Sequence, residues 1–189
     1  MCTNSNKPAP KMNPPEEIKR DIELLLFLFK TSKSFFMFIN KDDIGKIEIG
    51  PYKIREELEA YVRFDKEISE EIRELNNSVG HYLNQNFIIR LYSLLNYHNV
   101  LGSLKKLDKN VPGWEDIDIL RRLRHKFGHA LGKYNKGNGD DLKLWESIQT
   151  KYKPGIPETE DYAINQDKVI NPIIKSIYRY IDAKYRMEN

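Results

Sequence analysis

The chain has 189 residues, enough for one domain with a substantial core and too few for two comfortable ones. Charged residues make up 31% and hydrophobic ones 40%, the balance of a soluble globular protein, and a net charge of only +3 excludes a general polycation. The single cysteine, Cys2, excludes an intrachain disulfide framework and suits a reducing cytoplasm, the expected location.

Residues 1–15 are rich in Asn, Lys and Pro and lack periodicity, which predicts a disordered tail before a helical domain over 16–189. Pro14-Pro15-Glu16-Glu17 is a good helix start, with prolines ahead of the first turn and acids at its positive end. The first helix is expected from Glu16 to Phe38, with Ile18, Ile22, Leu25, Leu26 and Phe29 as its main stripe. Its further apolar residues imply burial on more than one side. The run Leu24 to Phe29 is far shorter than the about 20 apolar residues of a membrane span, so it reads as core. No segment reads as a signal peptide.

Two glycines and a proline break the pattern between Lys41 and Pro51. Lys46-Ile47-Glu48-Ile49 alternates like an extended piece but has no obvious strand partner. Tyr52 to Asn76 is read as a second helix, its dense Glu, Lys and Arg forming a solvated face. Val79 to Leu107 is the most apolar stretch and the expected central helix. His98 within it reads as a satisfied core histidine, neutral or paired because unpaired buried charge is costly. Asn84, Gln85 and Asn86 read as a solvated first turn of that helix, while a carboxylate, a dimer partner and RNA are equally good partners for Arg90.

After a turn at Asp108 to Gly113, Trp114-Glu115-Asp116 opens the next helix, with Trp114 as a core anchor. A basic loop follows at Lys133 to Asp140, where Tyr134 is a candidate for stacking on a base. Asp141 to Tyr152 predicts a short helix. Val169 to Tyr185 predicts a last one, with Pro172 in its first turn. The expected fold class is all-α, a single-domain antiparallel bundle of about five to six helices.

The most chemically loaded stretch is Leu120 to Leu131. Ile117, Leu120, Leu123, Phe127 and Leu131 follow helical spacing and predict one buried face. Arg121, Arg122, Arg124, His125, Lys126 and His129 occupy the rest. His125 and His129 share a face, whereas Arg124 and His129 lie roughly 140° apart around an ideal axis. Gly128 and Gly132 weaken the helix and permit close approach, and Gly132 is a candidate terminator. The residues leave three readings open. One is a solvated basic face. A second is a zinc site on His125 and His129, poorly supported because zinc takes three or four protein ligands. The third is a phosphodiester site, with arginine as a fork for phosphate oxygens and histidine exchanging a proton near neutral pH.

Arg124-His125-Lys126-Phe127-Gly128-His129 resembles the Arg-x4-His motif of HEPN-domain proteins, with His125 as the polar residue that commonly follows the arginine. The resemblance covers the helical body from Glu16 to Tyr185. One HEPN subgroup carries a tyrosine two residues after the histidine; Leu131 stands there, so that subgroup's regulation is not carried over. The resemblance implies a metal-independent endoribonuclease that uses no cofactor. His129 would act as base or acid, Arg124 would stabilise phosphate charge, and the second proton carrier would be His125 or the His129 of a second copy in a homodimer. Arg121, Lys126, Lys133 and Tyr134 are the expected RNA-binding residues. The products implied are a 2′,3′-cyclic phosphate and a 5′-hydroxyl. A toxin or antiviral role, RNA as partner, an antitoxin or regulatory protein, and no membrane association complete the expectation. The alternatives are a non-catalytic HEPN-like module binding RNA, a nucleotide or a protein, and a scaffold with an incidental motif.

Overall fold

In the computed structural model the described residues are 11–34, 48–55, 58–63, 70–101, 107–129, 132–155, 162 and 164–188, with the backbone alone for 34, 48–63 and 70–72. They form a helical bundle of α1 (Pro15–Ser34), α2 (Glu70–Tyr97), α3 (Trp114–His129), α4 (Gly139–Tyr152) and α5 (Asn171–Glu188). The all-α expectation holds, with one exception in the chain. Residues Glu48–Arg55 (β1) and Leu58–Arg63 (β2) pair as an antiparallel hairpin.

The hairpin corrects the helix expected from Tyr52. The extended piece around Glu48 and Ile49 has a partner after all, since Ile49 stands opposite Val62. The register slips between Ile49 and Tyr52, where Gly50 and Pro51 face a single residue. Proline has no N–H to give the ladder, so a bulge on a two-stranded ribbon is where it fits. Of the charges that suggested a helix, Lys53, Arg55, Glu59 and Arg63 lie in the strands, and Glu70, Glu71, Arg73 and Glu74 open α2.

Helix α2 ends at Tyr97, before the expected Leu107. Asn99 adopts φ 56°, its N–H bonds the Asn96 carbonyl at 3.1 Å, and the Val100 N–H bonds the Leu95 carbonyl at 2.9 Å. That pair of bonds around a left-handed residue closes a helix and satisfies its last carbonyls. The end is also tied to the N-terminal segment. The Asn13 N–H bonds the His98 carbonyl at 3.2 Å, and Met12 is buried. Residues 11–15 are therefore docked, where the sequence predicted the end of a disordered tail; residues 1–10 of that tail lie outside the described residues.

Neighbouring helices run antiparallel. Phe29 packs on Phe87 with ring centroids 4.5 Å apart, while Asp21 meets His98 at the other end of α2. Helix α3 lies against α2, α4 and α5 and buries Ile117, Leu120, Leu123 and Phe127 of the predicted stripe, whose last residue, Leu131, lies outside the described residues. Leu144 and Ile148 of α4, and Ile173, Ile174, Ile177 and Ile181 of α5, complete the core. Helix α4 starts two residues before Asp141, because the Asn138 side chain accepts from the Asp140 and Asp141 N–H groups. A π-helical turn at Gln166–Ile170 leads into α5. Pro172 cannot donate to a carbonyl four residues back, and a widened turn before it accommodates its ring.

Helix α1 matches its main stripe at Ile18, Ile22 and Phe29. Burial on a second side does not hold among the described residues: Leu24, Phe27 and Leu28 are 57%, 64% and 53% exposed. The end of the expected first helix, beyond Ser34, lies outside the described residues. Among the described residues, no helix is long and apolar enough to cross a membrane.

Candidate nucleic-acid interface

Helix α3 carries every residue of the motif, and its three flanks are set by different neighbours. The buried stripe fixes its rotation. With Leu120, Leu123 and Phe127 inward, His125 and His129 are exposed at the C-terminal end. Their rings are in contact, with centroids 4.8 Å apart and planes tilted by 49°. Spacing of four on a helix produces this pair. Among the described residues no third metal-binding side chain joins them.

Arg124 occupies the flank facing α2. Its guanidinium carbon stands 5.6 Å from the centroid of the Tyr92 ring. Tyr92 is itself buried, so the arginine is propped on a fixed aromatic face and remains partly accessible. The structure thus places the two imidazoles together and holds Arg124 to one side of them by way of α2.

The opposite flank faces α4. Arg122 donates to the Asp140 carbonyl at 2.7 Å. Lys126 forms an ion pair with Asp141, which is 2% exposed and also accepts the Asn135 N–H at 3.0 Å. Lys126 was expected to bind RNA; its charge is spent within the protein. Tyr134 was expected at the surface and is 9% exposed. It packs on Tyr162 and Trp145 with centroids 5.6 and 6.3 Å away, so its ring is not open to a base. Arg121 remains exposed and pairs with Asp118 at 2.6 Å, and Lys133 is exposed in the loop after α3.

Gly132, the candidate terminator, has φ +75°, its N–H reaches the Lys126 carbonyl at 3.1 Å, and its carbonyl accepts the Tyr162 N–H. Its side-chain neighbours were beyond the sequence reading. A Cβ there would lie 2.6 Å from Gln85 Nε2. Gln85 in turn contacts His81 Nε2 at 2.8 Å, and Asn84 donates to the Ile164 carbonyl at 2.7 Å. The run 84–86, read as a solvated first helical turn, lies well inside α2, where Asn84 is buried and Gln85 meets Gly132. Its position inside the most apolar stretch of the sequence was the available signal.

His98 fits its expected role. It is fully buried, with Nε2 3.0 Å from the Asp21 carboxylate, and joins α2 to α1 away from the motif. At the N-terminal end of α3, buried Asp116 accepts from the Tyr152 hydroxyl and pairs with Lys151 at 2.8 Å. Burial opposes the charge on Lys151, but its bonds to Asp116 and Glu115 outweigh that and raise its pKa. Burial, followed by the hydrogen bond to Asp116, holds the Tyr152 hydroxyl protonated far above the usual phenol range. Trp114, expected as a core anchor, is only half-buried and lines two open clefts of about 460 and 470 Å³.

No protein-family model, curated protein or solved structure matches this chain.

Proposed function

We propose that this chain is a metal-independent endoribonuclease of HEPN type, with Arg124, His125 and His129 as its reacting groups. The observation that carries the reading is the exposed imidazole pair at the end of α3. RNA cleavage without a metal requires a base for the 2′-hydroxyl, an acid for the leaving 5′-oxygen and a counter-charge at the phosphate. A neutral imidazole takes the 2′-hydroxyl proton and the freed oxygen attacks phosphorus. The bond to the 5′-oxygen breaks as a protonated imidazole supplies its proton. The products are a 2′,3′-cyclic phosphate and a 5′-hydroxyl. His125 and His129 supply the two proton carriers within one chain. In a homodimer the second carrier is the His129 of the other copy. Arg124, propped on Tyr92, supplies the charged fork for the phosphate. A toxin or antiviral role, and control by an antitoxin, belong to the same proposal.

A non-catalytic binding module is favoured by one observation, the engagement of Arg124 with Tyr92 on the flank away from the imidazoles. Cleavage of a labelled single-stranded RNA in excess EDTA separates the two. The nuclease reading expects cleavage by wild type that leaves a cyclic phosphate and is lost in Arg124→Ala and His129→Ala. Binding by all three proteins without cleavage supports the module. Equal cleavage by all three overturns the assignment of the site.

A further inference from the structure

One line of side chains runs the length of α3 on its solvent side. Trp114, Asp118, Arg121, His125 and His129 follow one another at intervals of four, three, four and four residues. On an ideal helix these positions stay within roughly 80° of one another and span about 22 Å. One end of the line is the imidazole pair. The other is Trp114, whose indole stands between two clefts.

Charge along this line is arranged unevenly. Asp118 is neutralised by Arg121 at 2.6 Å, and Glu115 and Asp116 by Lys151 at 2.8 Å each. Lys109 Nζ sits over one face of the Trp114 indole, 5.4 Å from its centroid, and Arg179 of α5 lines the same cleft. Among the described residues, neither Lys109 nor Arg179 is in an ion pair. An aromatic face with unpaired cations next to it is the pairing that holds single-stranded nucleic acid, bases stacking on the ring while cations follow the phosphates.

We infer that α3 is a track for single-stranded RNA, in which the strand engaged at His125 and His129 runs along Arg121 and lodges a base against Trp114, with Lys109 and Arg179 at its phosphates. The inference rests on the reading of the imidazole pair as an RNA site and names its substrate class, an unpaired strand long enough to reach the far end of the helix. At about 3.4 Å per stacked nucleotide, roughly six nucleotides cover the distance. A trinucleotide reaches only one end.

The test is an anisotropy titration with labelled 2′-O-methyl oligouridylates of about three and about twelve nucleotides, which cannot be cleaved. The longer strand is expected to bind the full-length protein at least about ten-fold tighter than the shorter. Trp114→Leu should remove most of that advantage, and Trp114→Tyr should restore it. Because Trp114 packs partly on the core, Lys109→Glu with Arg179→Glu is the second variant. It changes only exposed charge and should weaken the long probe and flatten its salt dependence. In a Trp145→Phe background Trp114 is the sole tryptophan, and its fluorescence should be quenched by the long probe only. Equal affinity for both lengths, or full affinity of both variants for the long probe, overturns the track. Cleavage by wild type with no dependence on Trp114 removes the track and leaves the nuclease. Trp114-dependent binding without cleavage keeps the track and removes the nuclease. Binding of neither probe removes both.

Discussion

Lys126 of α3 closes an ion pair with Asp141 at the start of α4, and both charges are largely withdrawn from solvent. The pair sets the distance between the motif helix and the loop that follows it, since Asp141 also accepts the Asn135 N–H. Removing one partner strands the other in a desolvated place. Asp141→Ala should cost about 3–5 kcal/mol in urea unfolding. The double variant Lys126→Met with Asp141→Leu should recover much of that loss. If Asp141→Ala unfolds at the wild-type urea concentration, the pair does not stabilise the fold.

The two glycines of the motif segment should respond in opposite directions to alanine. Gly128 is helical with nothing within 4 Å of an added Cβ, so Gly128→Ala should stabilise by about 0.5–1 kcal/mol. Gly132→Ala should destabilise by about 1–2 kcal/mol, because its left-handed backbone disfavours a side chain and Gln85 already fills the space. Thermal melts of the two variants give the signs directly. A Gln85→Ala background should relieve only the contact part of the Gly132 penalty.

Alkaline stability should depend on Tyr180. Burial, then the nearby Asp108 and Glu188, pushes its hydroxyl up to about 12 from the ordinary 10.0. The folded state therefore holds this proton more tightly than the unfolded chain. The stabilisation is complete below about pH 10 and is lost as pH rises toward 12. Tyr180→Phe should unfold less steeply across that window in a circular-dichroism pH titration. An unchanged alkaline limb would assign the transition to Tyr152 and Tyr162, whose hydroxyls are also held protonated, chiefly by burial.

Tyr92 should position Arg124 for the proposed cleavage. Tyr92→Phe keeps an aromatic face under the guanidinium and should retain activity. Tyr92→Leu should lower kcat by up to about ten-fold, the scale of a partly desolvated cation–π contact. Single-turnover kinetics with saturating RNA checks this, and equal rates for the two variants would show that the ring has no positioning role.

Much of the bundle was legible because helix periodicity is local. Ile18, Ile22 and Phe29 in α1, the inward stripe of α3, and the isoleucines of α5 all lie where spacing put them. The hairpin was not legible, because pairing Ile49 with Val62 depends on residues 13 apart, and the charges within its own strands, Lys53, Arg55, Glu59 and Arg63, are as dense as those of a helix face. The end of α2 hinged on one left-handed residue, Asn99, in a stretch whose apolar pattern gave no reason to stop.

For the candidate site, the sequence by itself determined that Arg124, His125 and His129 lie on one helix, and that the histidines share a face. Both follow from the helical repeat and need no neighbour. Only the tertiary structure decided which basic and aromatic residues stay open to a ligand. Lys126 is taken up by Asp141, Tyr134 is covered by Tyr162 and Trp145, Arg124 rests on Tyr92, and Trp114 is left half-exposed at the far end. The reason is physical. Periodicity fixes the direction in which each side chain leaves α3, but what it meets there comes from α2, α4 and the loops around them, brought close by packing rather than by spacing.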